Sequence, residues 1–255
     1  MNPVARIIKS ILPLRLRNAI RVRLRLHPIE YRSRWPDLAM FDLSKKDVIF
    51  DVGANVGEFT ECVLAFQPWA IVHAFEPISE VFEVLQRKFK DYPGIFCRNV
   101  ALGRERGEQA INVSSYAQAS SFLENGRVLN DRVYGIDFTP VKTETVRVKT
   151  AAGYARASGV DCIKLLKLDV QGYELEVLKG TEPILDRIEF IYTEVQFQEL
   201  YKNGPMFDEV YEFLNRRGFE LLRMTSFRAD DDGRLMECDM IFRNGARQPK
   251  PAGEH

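Results

Sequence analysis

Four acidic side chains sit where an α/β chain could use them for chemistry: Asp51, Glu76, Asp169 and Glu194. Asp51 lies near the end of the apolar run Val48-Ile-Phe-Asp-Val52, and glycines follow at 53 and 57. A buried strand, a Gly-rich turn and an amphipathic segment from Glu58 to Phe66 form a nucleotide-type crevice at the carboxyl end of a sheet. A dinucleotide would bring a pyrophosphate to this loop, where the Asp51 carboxylate would repel it. S-adenosylmethionine brings instead an ammonium that needs an acceptor, a carboxylate suited to backbone N–H groups near a helix start, and two ribose hydroxyls. Glu76, in His73-Ala-Phe-Glu-Pro77, stands at the next strand end and can accept from both hydroxyls; the other reading is a surface Glu at a strand end. Asn99, in Arg98-Asn-Val-Ala-Leu102, meets the adenine edge or simply turns the chain.

Asp169 ends Ile163-Lys-Leu-Leu-Lys-Leu-Asp169 at the mouth of the same crevice, and Glu194 ends Ile191-Tyr-Thr-Glu194 on the neighbouring strand. Such a pair can act as base and orienting group toward a hydroxyl, hold a divalent cation through oxygen ligands, or cap helix starts. Lys167 and Glu174 read as substrate contacts or as a structural ion pair. Only His27, His73 and His255 exist, and His73 falls inside a predicted central strand, where a packed core histidine is expected rather than a base.

Positioning these side chains needs alternating β-rich runs and helical patterns, the signature of a parallel sheet with crossover helices. Strands are predicted at Val48 to Val52, Ala70 to Phe75, Ile95 to Asn99, Cys162 to Leu168 and Ile188 to Glu194. Helices are predicted at Gly57 to Phe66, Ser79 to Phe89 with Ser79 as N-cap, Tyr173 to Lys179 with Gly180 as its stop, and Met206 to Arg217. Residues 102 to 150 form a polar, Ser-rich insertion with two further strands, Gln109 to Val113 and Thr143 to Val148, of a length that is more often functional than idle. Phe219 to Met224 and Asp239 to Arg243 flank Ala229-Asp-Asp-Asp-Gly233 and read as a hairpin closing the sheet.

The chain has 255 residues, 45% of them hydrophobic, enough for one main domain with appendages. Its formal charge is +0, yet residues 1–34 hold nine Lys or Arg against one acid, Glu30, a balance of +8, and the rest carries −8. Val4, Ile7, Ile8, Ile11 and Leu12 recur at helical spacing, and Ile20-Arg-Val-Arg-Leu-Arg-Leu26 alternates apolar with basic. Two readings follow for residues 1–34: peripheral attachment to anionic lipid, where a lipid-linked acceptor would lie, or packing on the catalytic domain. Without an RNA-binding module beside these arginines, no nucleic-acid partner is expected. The cysteines at 62, 97, 162 and 238 form no C-x-x-C pair and are expected as reduced, packed thiols. With no apolar run long enough to span a bilayer, the expected compartment is the cytoplasm, or its face of the membrane if the basic segment binds lipid. The organisation expected is therefore a helical appendage over 1–40, a catalytic domain over 41–245, and a disordered tail over 246–255.

Taken together, Asp51-Val-Gly-Ala-Asn-Val-Gly-Glu-Phe-Thr60, Ala74-Phe-Glu-Pro77, Asn99-Val-Ala-Leu102, Lys167-Leu-Asp-Val-Gln-Gly-Tyr-Glu-Leu-Glu-Val-Leu-Lys-Gly180 and Thr193-Glu-Val195 resemble the FkbM-type S-adenosylmethionine-dependent methyltransferases. The resemblance covers roughly residues 47 to 200. It implies an α/β class I methyltransferase fold: a Rossmann-like, doubly wound and mostly parallel sheet with a C-terminal antiparallel hairpin. It implies donor contacts at Asp51, Gly53, Asn55, Gly57, Thr60, Glu76, Pro77, Asn99, Ala101 and Asp169, and methyl transfer to a hydroxyl of a sugar, glycan or related small metabolite. The family often has an acid where this chain has Gln171. Two rivals stand beside this reading. A nicotinamide-dependent oxidoreductase should show G-x-G-x-x-G, whereas this loop reads Gly53-Ala-Asn-Val-Gly57; a binding protein could keep the fold and lack the chemistry.

Overall fold

The computed structural model describes residues 35–114, 120–126 and 139–247. The amphipathic and alternating segments expected within residues 1–34, and the tail from residue 248 on, lie outside the described residues.

Seven strands form the main sheet in the order β3-β2-β1-β7-β8-β10-β9. They are β1 (Val48–Val52), β2 (Ile71–Phe75), β3 (Ile95–Arg98), β7 (Ile163–Leu168), β8 (Ile188–Gln196), β9 (Phe219–Ala229) and β10 (Leu235–Asn244). β1 pairs in parallel with β2 and β7, and β10 runs antiparallel to both β8 and β9, so the expected terminal hairpin closes the sheet. The strand order reverses between β1 and β7, the place where an open α/β sheet leaves a crevice at its carboxyl edge.

The apolar alternation of β1 explains the layering. Ile49 packs with α1 (Glu58–Phe66), α2 (Ser79–Phe89) and the 3-10 turn Pro36–Phe41, whose Leu38 and Phe41 are buried in that layer. Phe50 and Val52 face the opposite layer, which contains α3 (Ala151–Ala157), α4 (Glu174–Thr181) and α5 (Phe207–Asn215). The insertion supplies β4 (Ala101–Leu102), β5 (Gly107–Ser114) and β6 (Pro140–Lys149), a second sheet in the order β4-β6-β5. Its apolar face, with Ile111, Val113, Val146 and Val148, packs on Ala101 and Ile78 over the crevice.

Several local expectations change. Ser79 is not an N-cap; Ile78 holds that position, and the Ser79 hydroxyl donates to Glu144 of β6 at 2.6 Å, tying α2 to the insertion. Gly180 does not stop α4, which continues to Thr181. The residue is glycine because a Cβ there would lie 1.9 Å from the Gly103 carbonyl oxygen, so the helix packs directly on backbone. α3 was not legible as a helix, because Ala151-Ala-Gly-Tyr-Ala-Arg-Ala157 carries too few large apolar groups to show a period; the Thr150 side chain caps it by accepting from Gly153 N–H. None of the four cysteines is in a disulfide, but Cys162 is exposed just before β7 rather than packed. Ala246 and Arg247 complete a short 3-10 turn, and the Arg247 side chain donates to the Asp186 carbonyl, so order extends past the expected start of the tail.

Candidate active site at the carboxyl ends of the central strands

A cavity of about 450 Å³ opens over the ends of β1, β2, β7 and β8. Gly53, Asn55, Glu76, Pro77, Ala101, Asp169 and Glu194, all singled out in the sequence, line it. Asp51, Gly57, Thr60 and Asn99 do not. They build the walls.

Asp51 shows how the pleat decides this. It shares the α1 side of β1 with Ile49, so its carboxylate turns toward α1 and accepts from the Thr60 hydroxyl at 2.7 Å. It has no exposed surface, and its Oδ1 has no hydrogen-bond partner. Burial raises its pKa, and Lys167, its register partner on β7 with Nζ 3.7 Å away, works against that rise. Asn99 donates its amide to the carbonyls of Glu76 and Pro77, fixing the turn after β2. Gly57 is the left-handed residue that opens α1, and a Cβ there would meet the side chains of Leu85 and Phe89.

Glu76 is nine-tenths buried or more and receives the backbone N–H groups of Asn55 and Ile78 at 2.9 Å, one on each oxygen. Each oxygen keeps a lone pair. Burial pushes its pKa up to about 7, against the pull of those two N–H groups. Gly53 adopts φ +76, and a Cβ there would lie 1.8 Å from the Asp169 carbonyl oxygen, so the first loop closes directly on the end of β7.

Asp169 and Glu194 line the same cavity on the β7–β8 side of β1, joined through the Gln171 amide. Burial opposes the charge on Asp169, but Lys167 at 3.1 Å and the Gln171 amide at 2.9 Å outweigh it and hold the carboxyl below the usual range. Glu194 goes the other way. Burial, then the charges of Asp169, Glu237 and Asp239, raise its pKa well above the ordinary value, and Arg228, 3.6 Å away, offsets only part of that. The surroundings therefore push the two carboxyls apart, favouring the charged form of Asp169 and disfavouring that of Glu194.

Sequence reasoning missed the residues that hold this pair. Gln171 sits at φ +55, and its Nε2 donates to Asp169 at 2.9 Å and to Glu194 at 3.0 Å. The Tyr201 hydroxyl donates to the Gln171 Oε1. Tyr201 itself packs across Gly172, where a Cβ would lie 2.8 Å from its ring, and Gln196 accepts its backbone N–H. Arg228 comes from β9, pairs with Glu237 across the hairpin, and reaches the cavity. Tyr201, Arg228 and Glu237 carry no local sequence signal and reach the pair through the loop after β8 and the hairpin, whereas Gln171, in the turn after β7, was legible only as a departure from the family's usual acid. Lys167 and Glu174 do not pair with each other: Lys167 belongs to Asp169 and Asp51, while Glu174, pushed up to about 7 by burial, accepts from the Val170 and Gly172 N–H groups and shapes the turn. His73 is a packed residue, as expected. Arg98 Nε donates to the Tyr154 hydroxyl, which leaves that hydroxyl to donate to His73 Nδ1, and burial lowers the His73 pKa to about 4.

The residues present suit an adenosyl methionine ligand: a buried acceptor for a diol at Glu76, a loop that admits no Cβ at Gly53, and the carboxyls of Asp169 and Glu194 line one cavity. It fits a divalent cation poorly. Asp169 Oδ1 and Oδ2 and Glu194 Oε2 each accept an N–H within 3.1 Å, and Glu194 Oε1 faces Arg228. Among the described residues, no group of three or more His, Cys, Asp or Glu side chains converges as a metal site.

The model of the methyltransferase FkbM domain matches residues 51–221. The chain is similar to the 2-O-methyltransferase NoeI of Sinorhizobium fredii, with 26% identity over 210 residues, covering 79% of this chain and 82% of that protein. It is also similar to the hexuronic acid methyltransferase AglP of Haloferax volcanii, with 27% identity over 162 residues, covering 62% of this chain and 59% of the other. A solved structure of Aeropyrum pernix fibrillarin with S-adenosyl-L-methionine aligns over 82% of this chain and 75% of its own, at a TM-score of 0.44 and 12% identity.

Proposed function

The chain belongs to the methyltransferase FkbM family and is an S-adenosylmethionine-dependent methyltransferase, and we propose that its acceptor is a hydroxyl of a sugar, glycan or related small metabolite. One observation carries this reading: Glu76, following β2 on one side of β1, and the Asp169–Glu194 pair, on the β7–β8 side, line a single cavity, so a ligand bound by its ribose at Glu76 can reach the carboxyls across β1. The two named relatives, a 2-O-methyltransferase and a hexuronic acid methyltransferase, support the sugar class.

The residues divide the work as follows. Glu76 accepts from the ribose hydroxyls, Gly53 and Asn55 line the methionine side, Pro77 and Ala101 flank the base, and Asp51 with Thr60, Gly57 and Asn99 hold that frame. S-adenosylmethionine supplies a methyl group on a sulfonium. As the acceptor oxygen forms its bond to the methyl carbon, the carbon–sulfur bond breaks with its electron pair on sulfur, giving S-adenosylhomocysteine. The hydroxyl proton passes to Asp169. A carboxylate held below its usual pKa is a weak base, so aligning the hydroxyl is the larger part of the role of Asp169. Glu194, whose charged form burial and the neighbouring acids disfavour, contacts the same acceptor and orients it.

A nicotinamide cofactor would bring a pyrophosphate to a cavity lined by Glu76, Asp169 and Glu194, whose lining cations Lys167 and Arg228 are already paired with Asp169 and Glu237. Radiolabelled methyl transfer from S-adenosylmethionine to a panel of neutral and uronic acid glycosides tests the proposal; labelling of none, with S-adenosylhomocysteine still bound, would favour a protein that kept the fold without the chemistry. For residues 1–34 we propose contact with anionic lipid, supported by their +8 balance. Equal liposome sedimentation with and without that segment would remove it.

A further inference from the structure

Asp169 and Glu194 face each other through one side chain. We propose that Gln171 is a positioning residue whose amide occupies the place between these carboxyls that a bridging divalent cation takes in a carboxylate metal site, so that methyl transfer here proceeds without such a cation. The inference rests on the methyltransferase reading and deepens it at the acceptor end of the same cavity.

The amide is fixed in one orientation. Asp169 as a carboxylate only accepts, so the NH₂ must face it, and the same group reaches Glu194 with its second hydrogen. The amide oxygen is left to the Tyr201 hydroxyl, which donates to it. Behind the side chain the backbone is held in the left-handed region, with the Ser121 hydroxyl of the insertion donating to the Gln171 carbonyl at 2.6 Å. A non-glycine residue keeps that conformation only where its surroundings over-determine it. Here three separate elements do so: the insertion, the loop after β8 and the turn after β7.

Cations already stand beside the pair. Lys167, side chain 7% exposed, contacts Asp169 at 3.1 Å, and Arg228, which also pairs with Glu237, stands 3.6 Å from Glu194. Two fixed cations and a neutral NH₂ bridge thus occupy the positions around the two carboxyls from which a divalent ion would be held. Carboxylate oxygens reach such an ion at about 2.0–2.6 Å, whereas these oxygens stand 2.9 and 3.0 Å from nitrogen in hydrogen-bond geometry. A cation could enter only by expelling the Gln171 amide and leaving Tyr201, whose pKa burial raises, without its acceptor.

The test uses Mn²⁺ alone as probe, read by water proton relaxation on the full chain with and without S-adenosylhomocysteine. The wild-type protein is expected to bind no Mn²⁺ at millimolar concentration, and its S-adenosylhomocysteine affinity should change less than twofold on adding EDTA. Gln171→Glu, an isosteric change that replaces the NH₂ with a third carboxyl oxygen, should gain Mn²⁺ binding at least tenfold over wild type, a gain that a merely structural residue would not produce. Wild-type Mn²⁺ binding that is lost in Asp169→Asn would overturn the inference, and that measurement needs no Gln171 variant to fold. So would a folded Gln171→Glu that binds S-adenosylhomocysteine and gains no Mn²⁺ binding. Failure of the wild type to bind S-adenosylhomocysteine at all would overturn the methyltransferase reading itself, and the inference with it.

Discussion

Replacing Glu76 by glutamine should weaken S-adenosylhomocysteine binding by roughly 10²-fold, through about 3 kcal/mol of lost hydrogen bonding. The carboxylate uses one lone pair on each oxygen for the Asn55 and Ile78 N–H groups at 2.9 Å and keeps one on each for a ribose hydroxyl. Glutamine keeps a single acceptor oxygen, and its NH₂ would oppose one of those two N–H groups, so ligand and loop are both damaged. Because burial pushes Glu76 up to about 7, and hydroxyl donors bind its charged form, affinity should rise by up to about tenfold per pH unit toward neutrality and level off above it. The stability effect has the opposite sign. The folded pKa lies above the unfolded 4.5, so the fold binds the extra proton between about 4.5 and 7, and stability falls as pH rises through that window, by up to about 3 kcal/mol. Glu76→Gln should show neither dependence. Titration calorimetry from pH 5.5 to 8, paired with urea unfolding, measures both. A variant that binds within threefold of wild type, or a wild-type affinity that is flat across this range, would refute the assignment.

Gly53→Ala should abolish S-adenosylhomocysteine binding and lower Tm, because its Cβ would lie 1.8 Å from a backbone oxygen; a variant with wild-type affinity in calorimetry would show that the loop has room. Asp169→Asn should lose at least 10²-fold in turnover while binding S-adenosylhomocysteine within a few-fold of wild type, as read by single-turnover labelling and calorimetry. The folded pKa of His73 lies near 4, below its unfolded 6.5, so its share of stability is complete above about 6.5 and is lost as pH falls toward 4, by about 2–3 kcal/mol; His73→Gln should remove that part of the pH dependence in urea unfolding. Tyr154→Phe should cost about 1–3 kcal/mol in the same assay, because it orphans both Arg98 Nε and His73 Nδ1.

The frame of the site was legible because period-two apolar runs and glycines are local signals: Val48 to Val52, the Gly53 and Gly57 turn, and the strand ends before Glu76 and Asp169; Glu194, expected as a strand end, lies inside β8, which pairs with β10 as far as Gln196. Which side of a strand a polar residue takes was harder to read. Asp51 follows the pleat toward Thr60 and is not among the residues that line the cavity. Tyr201, Arg228 and Glu237 were invisible for another reason, and so was the bridging role of Gln171, since most of their partners lie on elements far apart in sequence. Tyr201 meets Gln171 across 30 residues, and Arg228 meets Glu194 only because β10 enters the sheet beside β8. Gly180 was read as a stop because a glycine near the end of a helical pattern usually is one; here it admits the Gly103 backbone.

A crystal structure of the protein with S-adenosylhomocysteine tests the central claim most directly. The expected result is a ligand in the 450 Å³ cavity with both ribose hydroxyls within hydrogen-bond distance of the Glu76 carboxylate and its sulfur directed toward Asp169. A ligand bound elsewhere, or one whose ribose makes no contact with Glu76, would contradict it.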